Sequence, residues 1–503
     1  MALKASIEID PAAVIAPVNP RTFGSFVEHM GRCVYTGISE PGHATADDDG
    51  LRGDVLDLVR EMGVTVVRYP GGNFVSGYRW EDGVGPVEDR PVRLDPAWKT
   101  IEPNTFGLDE FSRWAEKAEV EIMLALNLGT RGVQEALDLI EYCNHPSGTY
   151  FSDLRRSHGR EIPYSIRSWC LGNEMDGPWQ LGHKTADEYG RLAAETARAM
   201  RMIDPDIELV VCGSSGPSMP TFGDWEERVL EHTYEQVDLI SAHSYYEPDA
   251  SDLESFMASA VEMDRFIRTV TSIADRVGAR KKSRKRIDIS FDEWNVWYLS
   301  RMSTTPEWDR APRLAEDLYD VADAVVVGSL LMTLLRNNDR VAVACQAQLV
   351  NAISAIRTEP GGPAWRQSIF HPFALTARHA KGEVLSAQPM GPRYDSARYG
   401  EVPMVDSVAT HDPSTGELSV FSVNRSTDET VHLEIDLRAF PGYQLAGHLM
   451  LNDADHHATN SEHQQNRVEP GRAEVELGAG RADVLLPPIS WSLLRLVRSP
   501  TNP

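Results

Sequence analysis

Two glutamates are set apart by their neighbours. Glu174 lies in residues 169–180, WCLGNEMDGPWQ, and Glu293 in residues 287–298, IDISFDEWNVWY. Each follows a short apolar run that reads as a strand buried on both faces, and each is flanked by tryptophan, asparagine and a further acid. Two carboxyl groups at the mouths of two strands suit glycosidic-bond cleavage. One protonates the departing oxygen while the other attacks the anomeric carbon or activates water. Taken singly, each has a plainer reading: Glu174 as a solvent-facing acid in a loop that starts a helix, Glu293 as half of a structural Asp-Glu pair closing a barrel layer. Two such glutamates on separate strand ends favour the chemical reading.

The other candidate strand ends carry groups that fit the same chemistry. They are Glu28 and His29, Arg68, Asn73, Asn127, Asn173, Ser214, His243, Tyr245, Asp292, and Gln346 with Gln348. Together they form a ring able to hydrogen-bond many hydroxyls at once. Arg68 and Tyr245 are placed to keep Glu293 ionised. Gly71 and Gly72 allow backbone to approach a ligand. Trp98, Trp179, Trp294, Trp297 and Trp308 offer faces for sugar C–H surfaces, although core packing explains any one of them equally well. Only His29 and His243 lie at strand ends, and neither H-x-H nor H-E-x-x-H spacing occurs, so no metal is expected.

These residues need a scaffold that gathers strand ends. Strand candidates recur at 23–29, 64–70, 122–128, 166–173, 208–213, 239–244, 287–292 and 340–346. Helical stripes fall between them at 51–62, 108–120, 186–202 and 314–336. Alternation over residues 19–381 predicts a (β/α)8 TIM barrel, with functional groups where strands end. An open doubly wound sheet is the competing fold, but the chain lacks its glycine-rich phosphate loop. After residue 382 short alternating segments replace helices, which predicts an all-β sandwich over 382–503. Residues 1–18 hold one strand-like piece that is expected to join that sandwich.

Bulk properties narrow the partners. The chain has 503 residues and a net charge of −26, which disfavours nucleic acid and anionic membranes. The basic run at 280–286, RKKSRKR, reads as a solvated loop within that negative field. Five cysteines without a C-x-x-C pair do not make a disulfide framework, and the first residues lack a secretory apolar core, so a cytoplasmic location is expected. No apolar stretch approaches the ~18–20 residues that span a bilayer. The polar segment 452–468 holds three histidines and reads as a loop rather than a metal site.

At these residues the chain resembles a known family. FGSFVEHMGRCVYTGI, VRYPGGNFVSGYRWEDGVGP, WCLGNEMDGPWQ, AHSYY, FDEWNVWY and AQLVNAI are similar to the α-L-arabinofuranosidases of glycoside hydrolase family 51, and the resemblance runs the length of the chain. It implies a (β/α)8 barrel with a C-terminal jelly-roll sandwich, and a retaining double displacement on terminal α-L-arabinofuranosyl groups of oligo- and polysaccharides. By motif, Glu174 corresponds to the acid/base and Glu293 to the nucleophile. Glu28, Asn73, Asn173, Tyr245 and Gln348 correspond to groups that hold the furanose ring, Trp98 and Trp297 to its aromatic wall, and Arg68 and His243 to supporting residues. The resemblance implies no cofactor, and it implies a homo-oligomer, commonly a hexamer. An endo-acting or β-linked-glycan hydrolase on the same barrel type is the alternative within glycosidases. A catalytically silent sugar-binding barrel is the alternative outside them.

Overall fold

A computed structural model describes residues 2–249, 251–302, 308–478 and 480–499. Eight parallel strands close into a barrel: β1 Gly24–Phe26, β2 Val66–Tyr69, β3 Glu121–Ala125, β4 Ser168–Leu171, β5 Glu208–Val211, β6 Leu239–Tyr246, β7 Asp288–Val296 and β8 Val341–Gln346. Each strand pairs with the next in sequence, and β8 returns to β1 through Cys345↔Gly24. Every one overlaps a strand candidate read from the sequence. Val66, Val67, Trp169, Leu171, Val210 and Val211 are buried, as strands covered by helices outside and side chains inside must be.

The crossover helices follow the apolar stripes. Gly53–Met62 buries Val55, Leu56, Leu58, Val59 and Met62, and Gly63 ends it in the left-handed region at φ 79°. The stripe at 314–336 is only partly helical. The helix is Val321–Arg336, because the Asp320 side chain accepts from Asp323 N and caps it there. Upstream, Leu318 is exposed rather than packed.

The C-terminal part is all-β. One sheet runs in the order Val14–Pro17, Glu383–Leu385, Val405–Asp412, Glu417–Asn424, Ser490–Arg498, Tyr443–Leu451, Gly471–Arg472. The other runs Leu3–Glu8, Val431–Asp436, Arg481–Leu486, Glu476–Gly478. Helix Val321–Arg336 joins barrel to sandwich, and every residue from Val321 to Leu335 is buried. Gly328 lies under the Trp491 indole, where an added Cβ would sit 2.3 Å from the ring.

Candidate active site

Glu293 lies within β7 rather than just beyond it, and the strand is irregular there. Against β6, Ser290 pairs with Ser241 but Glu293 pairs with His243; against β8, Phe291 pairs with Ala344 but Trp294 pairs with Gln346. Over this stretch β7 carries one residue more than either neighbour. The result is a bulge, which re-aims side chains that would otherwise alternate. Consecutive carboxylates therefore both reach Arg68 of β2. Arg68 Nη1 donates to Glu293 Oε1 at 2.7 Å, and Nε lies 3.5 Å from Asp292 Oδ2. The remaining Nη2 donates to Asn173 Oδ1 at 2.8 Å.

The second oxygen of Glu293, Oε2, accepts from Tyr245 OH at 2.7 Å. Burial pushes the Glu293 carboxyl up. The charges of His243 and Arg68 and the Tyr245 and Arg68 hydrogen bonds outweigh that and hold it below its ordinary value. Glu293 is thus a buried carboxylate kept ionised.

Glu174 approaches from β4. The chain turns sharply after the strand, with Gly172 at φ 101° and Glu174 itself at φ 44°, a left-handed conformation uncommon for a residue with a side chain. His243 Nδ1 donates to Glu174 Oε1 at 3.0 Å and lies 3.6 Å from Glu293 Oε2. One oxygen from each glutamate and a His243 ring nitrogen all fall within 4.8 Å of one another. Burial pushes the His243 imidazole down, but Glu293 and Glu174 beside it raise it above its ordinary value. These three atoms could also ligate a cation. In the structure His243 is hydrogen-bonded to Glu174 and only near Glu293, and Arg68, Tyr245 and Trp179 bond the carboxylate oxygens.

Beside the pair is a chamber with about 310 Å³ of empty space, lined by Phe26, Glu28, Met30, Gly72, Asn73, Trp98, Glu174, Tyr245, Glu293, Trp297, Gln348 and Ile353. Glu28 forms one wall, its carboxyl accepting from Phe74 N at 2.9 Å, Trp98 Nε1 at 2.8 Å and Gln348 Nε2 at 3.3 Å. Burial, with the Glu293 charge adding, raises Glu28 well above its ordinary value despite the Phe74 and Trp98 bonds. Gly72, at φ 58°, packs so closely that a Cβ there would sit 2.2 Å from the Glu28 carboxyl. Trp297 meets Tyr245 edge to face at 4.9 Å. Outside the chamber a wider vestibule, with about 1280 Å³ of empty space, runs past Trp98, Glu174, Trp179 and Trp297.

Known proteins share this architecture. A family model described as the α-L-arabinofuranosidase 1 domain matches residues 58–261, and one described as the α-L-arabinofuranosidase C-terminal domain matches 292–490. An intracellular exo-α-(1→5)-L-arabinofuranosidase of Streptomyces lividans is 57% identical over 497 residues, 98% of this chain and 75% of that one. The chain belongs to the family 51 α-L-arabinofuranosidases. An exo-α-(1→6)-L-arabinofuranosidase of Bifidobacterium longum is 53% identical over 503 residues, 97% of this chain and 96% of that one. A solved family 51 α-L-arabinofuranosidase from Bifidobacterium longum superimposes with a TM-score of 0.95 at 46% identity, covering 98% of this chain and 100% of that one.

In this family 51 chain most of the residues singled out in the sequence fall into two groups. Glu28, Asn73, Trp98, Glu174, Tyr245, Glu293, Trp297 and Gln348 line the chamber. Arg68, Asn173 and His243 are buried and bonded to the glutamates or to each other. Three strand-end groups face elsewhere. His29 bonds Glu102 and Tyr69, Asn127 bonds Tyr78 O, and Ser214 is buried and lines neither the chamber nor the vestibule. Trp294 is fully buried and offers no face to a ligand.

Asp292 is among the strand-end candidates, but its pairing with Arg68 is not read from the sequence, and Asn295 is not singled out at all. Asp292 shares Arg68 with Glu293 only because of the bulge. Asn295 Nδ2 donates to Ala347 O at 2.5 Å and Ile353 O at 2.7 Å, which clamps the loop bearing Gln348, whose own peptide with Ala347 is cis. The sequence signal for Asn295 is an amide set between the apolar residues Trp294 and Val296.

Proposed function

We propose that this chain is an exo-acting α-L-arabinofuranosidase that removes terminal α-L-arabinofuranosyl groups from oligo- and polysaccharides by retaining double displacement. The observation that carries this reading is the trio of Glu174, His243 and Glu293, with the two carboxylates within 4.8 Å of each other through one oxygen each. Inverting enzymes keep their carboxyl groups about 6.5–9.5 Å apart to admit a water, and retaining enzymes about 5–5.5 Å.

In the first step an oxygen of Glu293 bonds to the anomeric carbon. The glycosidic C–O bond breaks, and the Glu174 proton passes to the departing oxygen. In the second step water enters where the leaving group stood. Ionised Glu174 takes its proton, the new C–O bond forms, and the ester to Glu293 breaks. Arg68 and Tyr245 stabilise the Glu293 carboxylate that begins and ends the cycle. His243 holds the two acids in register. Glu28, Asn73, Asn173, Tyr245 and Gln348 take the furanose hydroxyls, and Trp98 and Trp297 wall the ring. The chamber and the vestibule share Asn73, Trp98, Glu174, Tyr245 and Trp297, an arrangement that suits a terminal sugar in the chamber with its leaving group in the vestibule.

Two variants test the roles. Glu293→Ala loses turnover of an aryl α-L-arabinofuranoside, and azide restores it with formation of the inverted arabinosyl azide. Glu174→Ala retains the first step on a good aryl leaving group and loses it on arabino-oligosaccharides. Loss of the first step on both substrates in Glu174→Ala contradicts the assignment. The reaction has no step for a metal, so the rate is unchanged by EDTA.

The same reading divides the chain into a barrel at 19–381 and a sandwich at 382–503 joined by residues 1–18, which hold two strands, Leu3–Glu8 and Val14–Pro17, rather than the one expected. It assigns the protein to the cytoplasm, supported by relatives named as intracellular. It also takes the enzyme to be a homo-oligomer, a hexamer by resemblance, which sedimentation measures directly.

A further inference from the structure

Trp179 occupies an unusual position for an aromatic residue. It ends the turn Glu174-Met175-Asp176-Gly177-Pro178-Trp179, closed by Gly177 N donating to Glu174 O at 2.8 Å. Its indole folds back over Gly177, where an added Cβ would sit 2.6 Å from the ring. That fold brings Trp179 Nε1 to Glu174 Oε2 at 2.8 Å. The ring is nevertheless 52% exposed and lines the vestibule, on the side through which a leaving group must depart. The other oxygen, Oε1, accepts from His243.

We propose that Trp179 is a positioning residue for proton transfer: its N–H fixes the rotamer of Glu174, and its face makes the floor on which the departing glycan rests. The proposal rests on Glu174 being the acid/base. An indole N–H donates and never accepts, so it cannot take the proton that Glu174 must deliver. It bonds more strongly to a carboxylate than to a neutral acid. The bond therefore tightens as Glu174 releases its proton to the glycosidic oxygen, and it persists while ionised Glu174 awaits water. The donor and the platform belong to one side chain, so the leaving group is oriented by the ring whose N–H aims the acid. Gly177 makes this possible by leaving room for the indole. Asp176 braces the same turn from below, accepting from Ser215 Oγ at 2.9 Å and from Ser215 N.

The test compares substrates that need the proton with one that does not. Trp179→Phe keeps a ring and removes the donor. Loss of one hydrogen bond to a charged group is worth about 10-fold or more, so kcat on α-(1→5)-arabinobiose falls by about that factor while KM changes little. Turnover of a 2,4-dinitrophenyl α-L-arabinofuranoside, whose leaving group departs unprotonated, changes less than about 3-fold in its first step by the same reasoning. Trp179→Ala adds a rise in KM for the disaccharide. Gly177→Ala displaces the indole without removing it and reproduces the Trp179→Phe pattern, with unchanged melting temperature in each case.

Equal loss on both substrates, or no loss on the disaccharide, overturns the proposal. Glu174→Ala runs alongside. If it spares the aryl substrate while Trp179→Phe shows no leaving-group bias, the role of Trp179 fails and the acid/base assignment stands. If Glu174→Ala abolishes the first step on the aryl substrate, the underlying reading fails.

Discussion

A carboxylate that must attack carbon has to stay ionised where water is scarce, and Glu293 shows what that requires. Burial alone would protonate it; two donors and a neighbouring imidazole hold it charged. Removing one donor shifts the balance in a known direction. Tyr245→Phe deletes the hydrogen bond to Oε2, so the Glu293 carboxyl rises and the acid limb of kcat/KM moves to higher pH. Wild-type activity extends further into acid, as a pH–rate profile checks. Both glutamates were legible in the sequence because each ends an apolar run among amides and indoles. Asp292 as a second Arg68 partner was not legible, since its orientation depends on a bulge that alternating hydrophobicity does not encode. Nor was the Trp179 bond to Glu174, which depends on a backbone turn.

At the scale of elements, the site is built where regular structure gives way. The bulge in β7, the left-handed turn after β4 and the close packing of Gly72 on Glu28 each aim a functional group. Gly72→Ala tests the last of these. A Cβ would collide with the Glu28 carboxyl, at a positive φ where side chains are strained. Displacing a substrate wall by about 1 Å can lower activity by about 100-fold, so kcat/KM should fall by that order while circular dichroism stays native. The barrel's βα alternation was legible because each buried strand is a compact apolar run between helical stripes. The start of helix Val321–Arg336 was not, because Leu314 and Leu318 extend the apolar period past the Asp320 cap that decides the boundary.

Over the whole molecule, barrel and sandwich share a buried seam. Asp406 of the sandwich accepts two bonds from Arg336 at 2.9 and 3.0 Å and one from Arg425 at 2.6 Å. Burial raises the Asp406 carboxyl, but the two guanidinium groups outweigh it and hold it below the usual range. Its contribution is therefore full above the unfolded carboxylate range and is lost as pH falls through the depressed folded value. Asp406→Ala strands two arginines and should lower unfolding free energy by about 3–5 kcal/mol, read as an earlier melt of barrel and sandwich together. The N-terminal strand was expected in the sandwich, but that Leu3–Glu8 pairs with Val431–Asp436 in particular was not legible, because such pairing depends on what lies between rather than on either strand.

The central claim is that Glu174 and Glu293 meet across one sugar closely enough for the enzyme itself to be arabinosylated. Proton NMR of the first-formed product, recorded before mutarotation, tests it most directly. Double displacement releases the α-anomer of L-arabinofuranose from an α-linked substrate; the β-anomer appearing first would contradict it.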